Sequence, residues 1–434
     1  MAETLTATQF GQLLRERRRS QKLSQAELGG DRYSGSYISH LESGRRTPTP
    51  EVIDFLARRL GVSPLEWGVR THFDKAATLR AEVEPDPVSV EELLVAERAW
   101  YERDWQSAEA HARRAAVGAE ASGDTIRHWE ALYVVAQSRF ANGEFDEAAR
   151  IAQEISEFQA CRDYAVARAQ SLSLSSVANR AGSRLGWAIA DGARAVEAAS
   201  SAPPIILSEA LMALVSALSE AGHTTGEIEV YLQRLDELAP RLTANHSRGV
   251  LEWTIGTAAY KAGNAEEGRK RYESARTLIS PQRDLRLWLR FHRSYANCRL
   301  DVGITEEVAE LLRISATGLE IIGNNFDVVE LRQAKARLAL VAGDPAGAAA
   351  RIQDLLDDPV LGNPEYRQGM SEWILATALR QLGRLGEAAD HYGAAGELLQ
   401  ADGRLKLALE AFRIRGELCC GTNLTTGVDS PVKS

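Results

Sequence analysis

From about residue 91 to residue 420 the sequence repeats roughly every forty residues, and few folds accommodate such a period. Short turns centred on Asp104, Gly143, Gly182, Gly222, Gly263, Gly303, Gly343 and Gly383 interrupt helical patterns at intervals of 39, 39, 40, 41, 40, 40 and 40. Seven near-equal intervals predict a solenoid, in which one supersecondary unit is copied and stacked. Seven residues before each turn glycine stand Ala136, Ser175, Val215, Gly256, Ala296, Ala336 and Ala376. All but Val215 are small, and a small side chain at a fixed place in the first helix of each unit lets two helices approach closely.

After the turn, Gly143-Glu-Phe145-Asp-Glu-Ala148 and Gly383-Arg-Leu385-Gly-Glu-Ala388 continue with an apolar residue and then alanine. This pattern resembles tetratricopeptide repeats, lengthened from their usual ~34 residues. The units at Gly143, Gly343 and Gly383 keep the alanine five residues after the glycine, and the unit at Gly222 departs most. A HEAT-type array, with a period nearer 40, is the alternative. Both give an all-α superhelix of about eight helix pairs over residues 91–420. Leu405–Leu418 reads as the closing helix, and 421–434 as a polar, disordered tail.

The resemblance implies that first-helix residues line the concave surface. Counting ten, six and three residues back from each turn gives Tyr133, Gln137 and Phe140; Ser176 and Asn179; Trp253, Thr257 and Tyr260; Arg293 and Asn297; Gln333 and Arg337; and Trp373, Thr377 and Arg380. Amides can bond a peptide backbone from both sides, arginines can take its carboxylates, and aromatics supply rigid contact area. Trp253 and Trp373 would equally fill gaps between helices.

The first 67 residues read differently. Phe10, Leu13 and Leu14 mark an amphipathic helix ending near Gln21. Ser24-Gln-Ala-Glu27 is a capping box opening a short helix that Gly29-Gly30 ends. Ser34 caps a third helix through Tyr37, Ile38 and Leu41, with Gly44 as its left-handed stop. Glu51–Leu60 is a fourth. Four short helices with a tight second-to-third turn describe a helix-turn-helix bundle. Leu23-Ser-Gln-Ala-Glu-Leu28, Ser34-Gly-Ser-Tyr-Ile-Ser-His-Leu-Glu-Ser-Gly44, Pro48 and Leu60-Gly-Val-Ser63 resemble the Cro/cI-type (XRE) family, although the stretch between Leu28 and Ser34 is one residue shorter than the commonest form.

The recognition helix of such a domain enters the major groove N-terminus first. That places Ser34, Ser36, Tyr37, Ser39 and His40 at the DNA, with Ile38 and Leu41 inward. The resemblance sets Gln25 against a phosphate, where a helix N-terminus favours an anion in any case. Arg45, Arg46 and Thr47 follow the helix and can grip the backbone. Glu42 reads as an internal partner for an arginine of the first helix. Residues 34–44 hold no Arg, Asn or Gln, so specificity is expected to lean on Ser, Tyr, His, water and DNA shape. Residues 68–90, with Pro85-Asp-Pro87, read as a linker with one helix at Asp74–Val83.

Charge follows the same division. Residues 1–67 hold ten Lys/Arg against eight Asp/Glu, and the remainder 41 against 52. A slightly basic head on an acidic body fits a protein whose head alone meets DNA. Four scattered cysteines without a CxxC pair suggest idle thiols in a reducing compartment. No run of eighteen apolar residues and no apolar N-terminal segment occur, so a cytoplasmic protein without a membrane partner is expected. No HExxH, GxSxG, Walker A or Rossmann string and no histidine cluster is found, so no cofactor and no enzymatic role are expected.

A Cro/cI-type head on a tetratricopeptide body resembles the peptide-pheromone-responsive regulators of Gram-positive bacteria. That resemblance implies a homodimer on double-stranded DNA, controlled by a peptide or small ligand in the solenoid groove. The alternative is a DNA-anchored scaffold whose solenoid recruits a partner protein.

Overall fold

The computed structural model describes residues 7–30, 32–46, 48, 50–60, 86–223, 225–361 and 368–420. All regular elements among them are helical. The chain divides into two compact units, Met1–Asp86 with Ser122–Ile126, and Pro87–Ala121 with Arg127–Ser434.

In the first unit the helices are α1 (Ala7–Ser20), α2 (Gln25–Gly29), α3 (Gly35–Glu42) and α4 (Pro50–Leu60). Phe10, Leu14, Leu28, Ile38, Leu41, Ile53, Leu56 and Leu60 form one buried core. The capping box is present: the Glu27 amide donates to Ser24 Oγ, and the Ser24 amide donates to the Glu27 carboxylate. Ser34 Oγ accepts from the Tyr37 amide and so starts α3. Gly11 lets α1 cross α3 closely, because a Cβ there would stand 2.4 Å from the Leu41 carbonyl oxygen. The proposed helix at Asp74–Val83, Thr47, Gly61-Val-Ser63 and the tail from 421 lie outside the described residues.

The second unit is a tetratricopeptide-like solenoid. Eight helix pairs run from Pro87–Tyr101 with Trp105–Ser122 to Gln368–Gln381 with Leu385–Ala401, and Leu405–Cys419 closes the array. Its first helix begins at Pro87, four residues before the start read from the period. A short helix, Gln159–Asp163, and a 3-10 turn, Ala239–Arg241, are inserted between pairs. The residues seven before the turns are all buried. Adding a Cβ to Gly256 would bring it within 2.9 Å of the Tyr272 ring, so the glycine permits the close approach the sequence implied. Pro204–Ala221 is apolar and long enough to cross a membrane by composition, but half of it is buried inside the protein. Leu211, Leu214 and Val215 on it pack into the core shared with the neighbouring helices.

The turns refine the period. The left-handed residue of each turn is Arg103, Gly143, Ser183, Gly222, Gly263, Gly303, Gly343 or Gly383. The first and third lie one residue from the landmarks Asp104 and Gly182, and Gly182 itself has φ −82°. Ser183 therefore bears at φ 61° a conformation that its neighbours give to glycine. Left-handed geometry costs an L-residue about 1–2 kcal/mol, so Ser183→Gly is expected to stabilise the solenoid by about 1 kcal/mol. A urea melt followed by circular dichroism would check the direction.

The same contacts recur in copies of the unit. Glu92–His111, Glu252–Arg271 and Glu372–His391 pair the two helices of three units at 2.6, 3.2 and 2.6 Å. Thr257 Oγ1 meets Tyr272 Oη at 2.7 Å, and Thr377 Oγ1 meets Tyr392 Oη at 2.9 Å, three units later. Longer contacts join residues about four and a half units apart. Arg103 bonds Asp284 across 181 residues, Asn324 bonds the Ala141 carbonyl across 183, and Arg404 bonds Glu220 across 184. Phe145 meets Phe326 edge to face at 5.3 Å in the same seam. The solenoid thus winds back onto itself, one superhelical turn resting on the next.

Candidate nucleic-acid interface and the inner solenoid surface

On α3, Ile38 and Leu41 are fully buried. That orientation leaves Ser36 and His40 exposed and Ser39 half-buried on the outer face, at a spacing of three and four residues. Arg45 and Arg46 are exposed just beyond the helix. Ser34 is exposed but occupied as the cap of α3.

Tyr37 is held within a stack. Its ring lies parallel to Tyr33 at 5.2 Å, and Tyr33 meets Phe55 edge-on at 5.1 Å. The Arg46 guanidinium sits 4.9 Å over Tyr37, and Arg32 lies 6.0 Å from Phe55. Sequence reading missed Tyr33, Phe55 and Arg32, because Arg32 and Tyr33 stand between α2 and α3 while Phe55 stands on α4. An aromatic immediately before the α3 cap and another on α4 was the available signal. The stack fixes the Tyr37 side chain and brings arginines to both of its ends, which suits phosphate contacts flanking a base-reading helix.

Gln25 starts α2, and its Nε2 donates to Glu42 Oε2 at 2.8 Å. Arg18 forks onto the same carboxylate, at 2.5 and 2.9 Å, and donates to the Leu23 carbonyl at 2.7 Å. The reading of Glu42 as a partner for a helix-one arginine matches this geometry. Burial pushes the Glu42 carboxyl up, but the bonds from Arg18 and Gln25 outweigh it and hold it below the usual range. Gln25 is thereby oriented by the core of the domain rather than left free at the helix end.

Along the solenoid, the residues chosen from the register fall into three groups. Tyr133 and Gln137 line a cavity of about 290 Å³. Most of the amides and arginines instead bond the neighbouring unit. Arg337 Nη1 donates to Asn297 Oδ1 at 3.2 Å and Gln333 Nε2 to Ser371 Oγ at 2.9 Å, partners 40 and 38 residues away. Asn179 donates to Ser175 and Asp191 and accepts from Arg184. Arg293 bonds Asp327 at 3.3 Å and pairs with Glu330. Arg380 is half-buried near Tyr392 and Glu410.

Tyr260 and Trp373 are corrections to the ligand-facing reading. Tyr260 is fully buried against Tyr272 and Tyr295, and Trp373 is 3% exposed and edge-on to Tyr392. Each fills a gap between helices, where a rigid ring has most contact to gain. Trp253 is half-buried, with its indole N–H shared between Tyr272 Oη and Ser294 Oγ. Of the cysteines, Cys161 and Cys298 are buried, and burial pushes their thiols up to about 12 and about 11. Such thiols are inert at neutral pH. Cys419 and Cys420 are exposed. No cluster able to hold a metal occurs among the described residues.

Removing Arg45 or Arg46 is expected to weaken DNA binding for all sequences alike. Each lost phosphate contact reduces the steepness of the salt dependence by about 0.9 in the log–log plot. Titration of Arg45→Ala and Arg46→Ala across a salt series would measure this, with unchanged slopes showing that neither touches phosphate.

Residues 9–67 match the family model described as "Helix-turn-helix domain". Comparison with curated proteins finds no match. Among solved structures, the chain is similar to a Rap protein complexed with competence and sporulation factor, at 11% identity and a TM-score of 0.39, over 95% of this chain and 97% of that one. It is also similar to PlcR of Bacillus thuringiensis in complex with the peptide PapR7 and DNA, at 11% identity and a TM-score of 0.30, over 62% of this chain and 94% of that one. The α3 geometry and the match over residues 9–67 together identify the N-terminal part of this chain as a helix-turn-helix domain, followed in sequence by a tetratricopeptide-like solenoid.

Proposed function

We propose that the protein is a cytoplasmic transcriptional regulator that reads specific DNA through α3 and is controlled by a peptide or small ligand bound in its solenoid. The observation that carries this reading is α3 itself. It has a capped N-terminus, Ser36, Ser39 and His40 on its outer face, and exposed arginines directly after it, inside a domain matched as helix-turn-helix. Gln25, Ser36, Tyr37, Ser39, His40, Arg45 and Arg46 are the proposed contacts. Ser36, Ser39 and His40 face the bases, while Gln25 and the arginines meet phosphates. The outer face holds no side chain able to fork onto a guanine, so base contacts are few and DNA shape carries part of the specificity. The regulator acts as a homodimer, because domains of this type commonly read two half-sites related by a two-fold axis.

Fluorescence anisotropy with DNA from upstream of its own gene, competed with bulk DNA over a range of salt, tests the reading. A sequence that outcompetes bulk DNA by at least about a thousandfold is expected. Equal competition at every salt concentration would sink it. Light scattering that gives a monomer both with and without DNA would remove the dimer.

The alternative, a DNA-anchored scaffold, draws support from one feature: most inner polar groups already bond within the solenoid. A single folded protein co-purifying in fixed stoichiometry, with DNA affinity indifferent to peptides, would favour it.

A further inference from the structure

The geometry points to a subsite for one organic cation, an ammonium or guanidinium group, in the cavity between the helices Pro87–Tyr101 and Thr125–Asn142. This inference rests on the proposal that the solenoid binds a ligand, and it names the chemistry of one part of that ligand. The cavity is walled by Trp100, Tyr101, Trp129 and Tyr133, and the carboxylates Glu97 and Glu130 stand among them. Among the described residues, neither Lys nor Arg lines it.

The arrangement follows from helical spacing. Glu97, Trp100 and Tyr101 occupy one face of the first helix at a separation of three and four residues. Trp129, Glu130 and Tyr133 do the same on the second, so two acid-and-aromatic stripes face one space. Three of the four rings are fixed in advance, whereas Tyr101 is 82% exposed. Trp129 is nearly buried, its indole N–H donates to Ser171 Oγ at 2.9 Å, and its ring is stacked on Tyr133 at 5.3 Å. Trp100 is packed against Trp105 at 4.5 Å. Rings held this way offer a cation aromatic surface at little ordering cost on binding.

The electrostatics select against other occupants. An anion would be repelled by the carboxylates, and a cation gains from Glu97 what a neutral apolar group would not. Glu209, on the helix Pro204–Ala221, adds to the field. It acts on the Tyr133 hydroxyl, which burial first and Glu209 second push upward. Glu209 is open to solvent, yet the surrounding protein is enough that burial raises its own carboxyl, as on a concave wall. At about 290 Å³ the cavity holds one side-chain-sized group, with the remainder of a larger ligand outside it. A free amine and a Lys or Arg side chain of a peptide present the same chemistry.

The test uses the full chain without DNA, so its failure is separate from failure of DNA recognition. Tryptophan fluorescence and calorimetry would follow titration with choline and with butylammonium, each against its neutral isostere, dimethylbutanol or butanol. Short alanine peptides containing one lysine, or norleucine in its place, form a second arm. The cation is expected to bind about tenfold more tightly than its isostere. Glu97→Gln, at an exposed position, should reduce that preference several-fold, Tyr133→Leu should abolish it, and Tyr133→Phe should keep it. A lysine peptide binding more tightly than the free amines assigns the site to a peptide side chain, and the reverse assigns it to a small amine. Equal binding of cation and isostere, no saturable binding of either, or a preference unmoved by Glu97→Gln would each overturn the proposal.

Discussion

Asp327→Ala is expected to cost the solenoid about 3–5 kcal/mol, the penalty of removing one partner from a buried ion cluster. The Asp327 carboxylate is fully buried, and Arg286, Arg290 and Arg293 approach it at 2.8, 2.8 and 3.3 Å. Burial pushes its carboxyl up, but the three guanidinium groups outweigh burial and hold it at about 2. Without it the three cations would keep Glu330, which pairs with Arg293. The same residue sits in the capping box of the helix Asn325–Val341. It also orients Arg286, whose Nη1 donates to the Ala141 carbonyl at 3.0 Å in the adjacent superhelical turn. The pH dependence carries a sign. A carboxyl depressed from 3.8 to about 2 contributes roughly 2 kcal/mol. That contribution is complete above about pH 4 and is lost as pH falls through about 2. Urea melts of the wild type and Asp327→Ala at several acidic pH values would show a flatter profile for the variant. A loss under about 1 kcal/mol would mean that the cluster relaxes to solvent instead.

The second large effect is expected in the head. Glu42→Ala leaves Arg18 nearly buried without its forked partner and frees the Gln25 amide. A cost of about 3 kcal/mol is a large share of what a domain this small can hold. Sequence-specific DNA binding should fall at least tenfold, since α1, α2 and α3 all converge on this carboxylate. Glu42→Gln, which keeps an acceptor for Arg18, should fall between the two. Because the Glu42 carboxyl is held below its usual range, its contribution is present above about pH 4.3 and declines as pH falls below that value. Amide exchange over residues 7–60 together with a DNA titration would measure both consequences. Full DNA affinity in Glu42→Ala would show that the hub is dispensable.

Much of this was legible in the residues. Glycine spacing announced the solenoid because a left-handed turn residue is a local requirement that leaves a local mark. The exceptions at Arg103 and Ser183 escaped for the same reason: a non-glycine residue in that geometry leaves no trace in composition. The capping box at Ser24, the cap at Ser34 and the Glu42 partnership were readable from short-range pattern. The inner surface was less so. Helical register says which face a side chain occupies, but not what stands opposite on the next unit. Asn297 and Arg337 were read as two ligand contacts, and they contact each other. The acid-and-aromatic stripes at Glu97–Tyr101 and Trp129–Tyr133 went unread, because only the fold brings them to one cavity.

The seam between superhelical turns changes how such an array responds to stress. A solenoid whose units touch only their neighbours can fray from either end, one unit at a time. Here Arg103–Asp284, Ala141–Asn324 and Glu220–Arg404 tie the first, second and fourth pairs to the sixth pair, the seventh pair and the closing helix. The first pair and the closing helix cannot peel away without releasing contacts to units about five places along. The linear chain of nearest-neighbour couplings becomes a sheet of couplings rolled into a tube. Loss of one unit then propagates in two directions, and the body behaves as a single cooperative spring rather than as a string of independent beads.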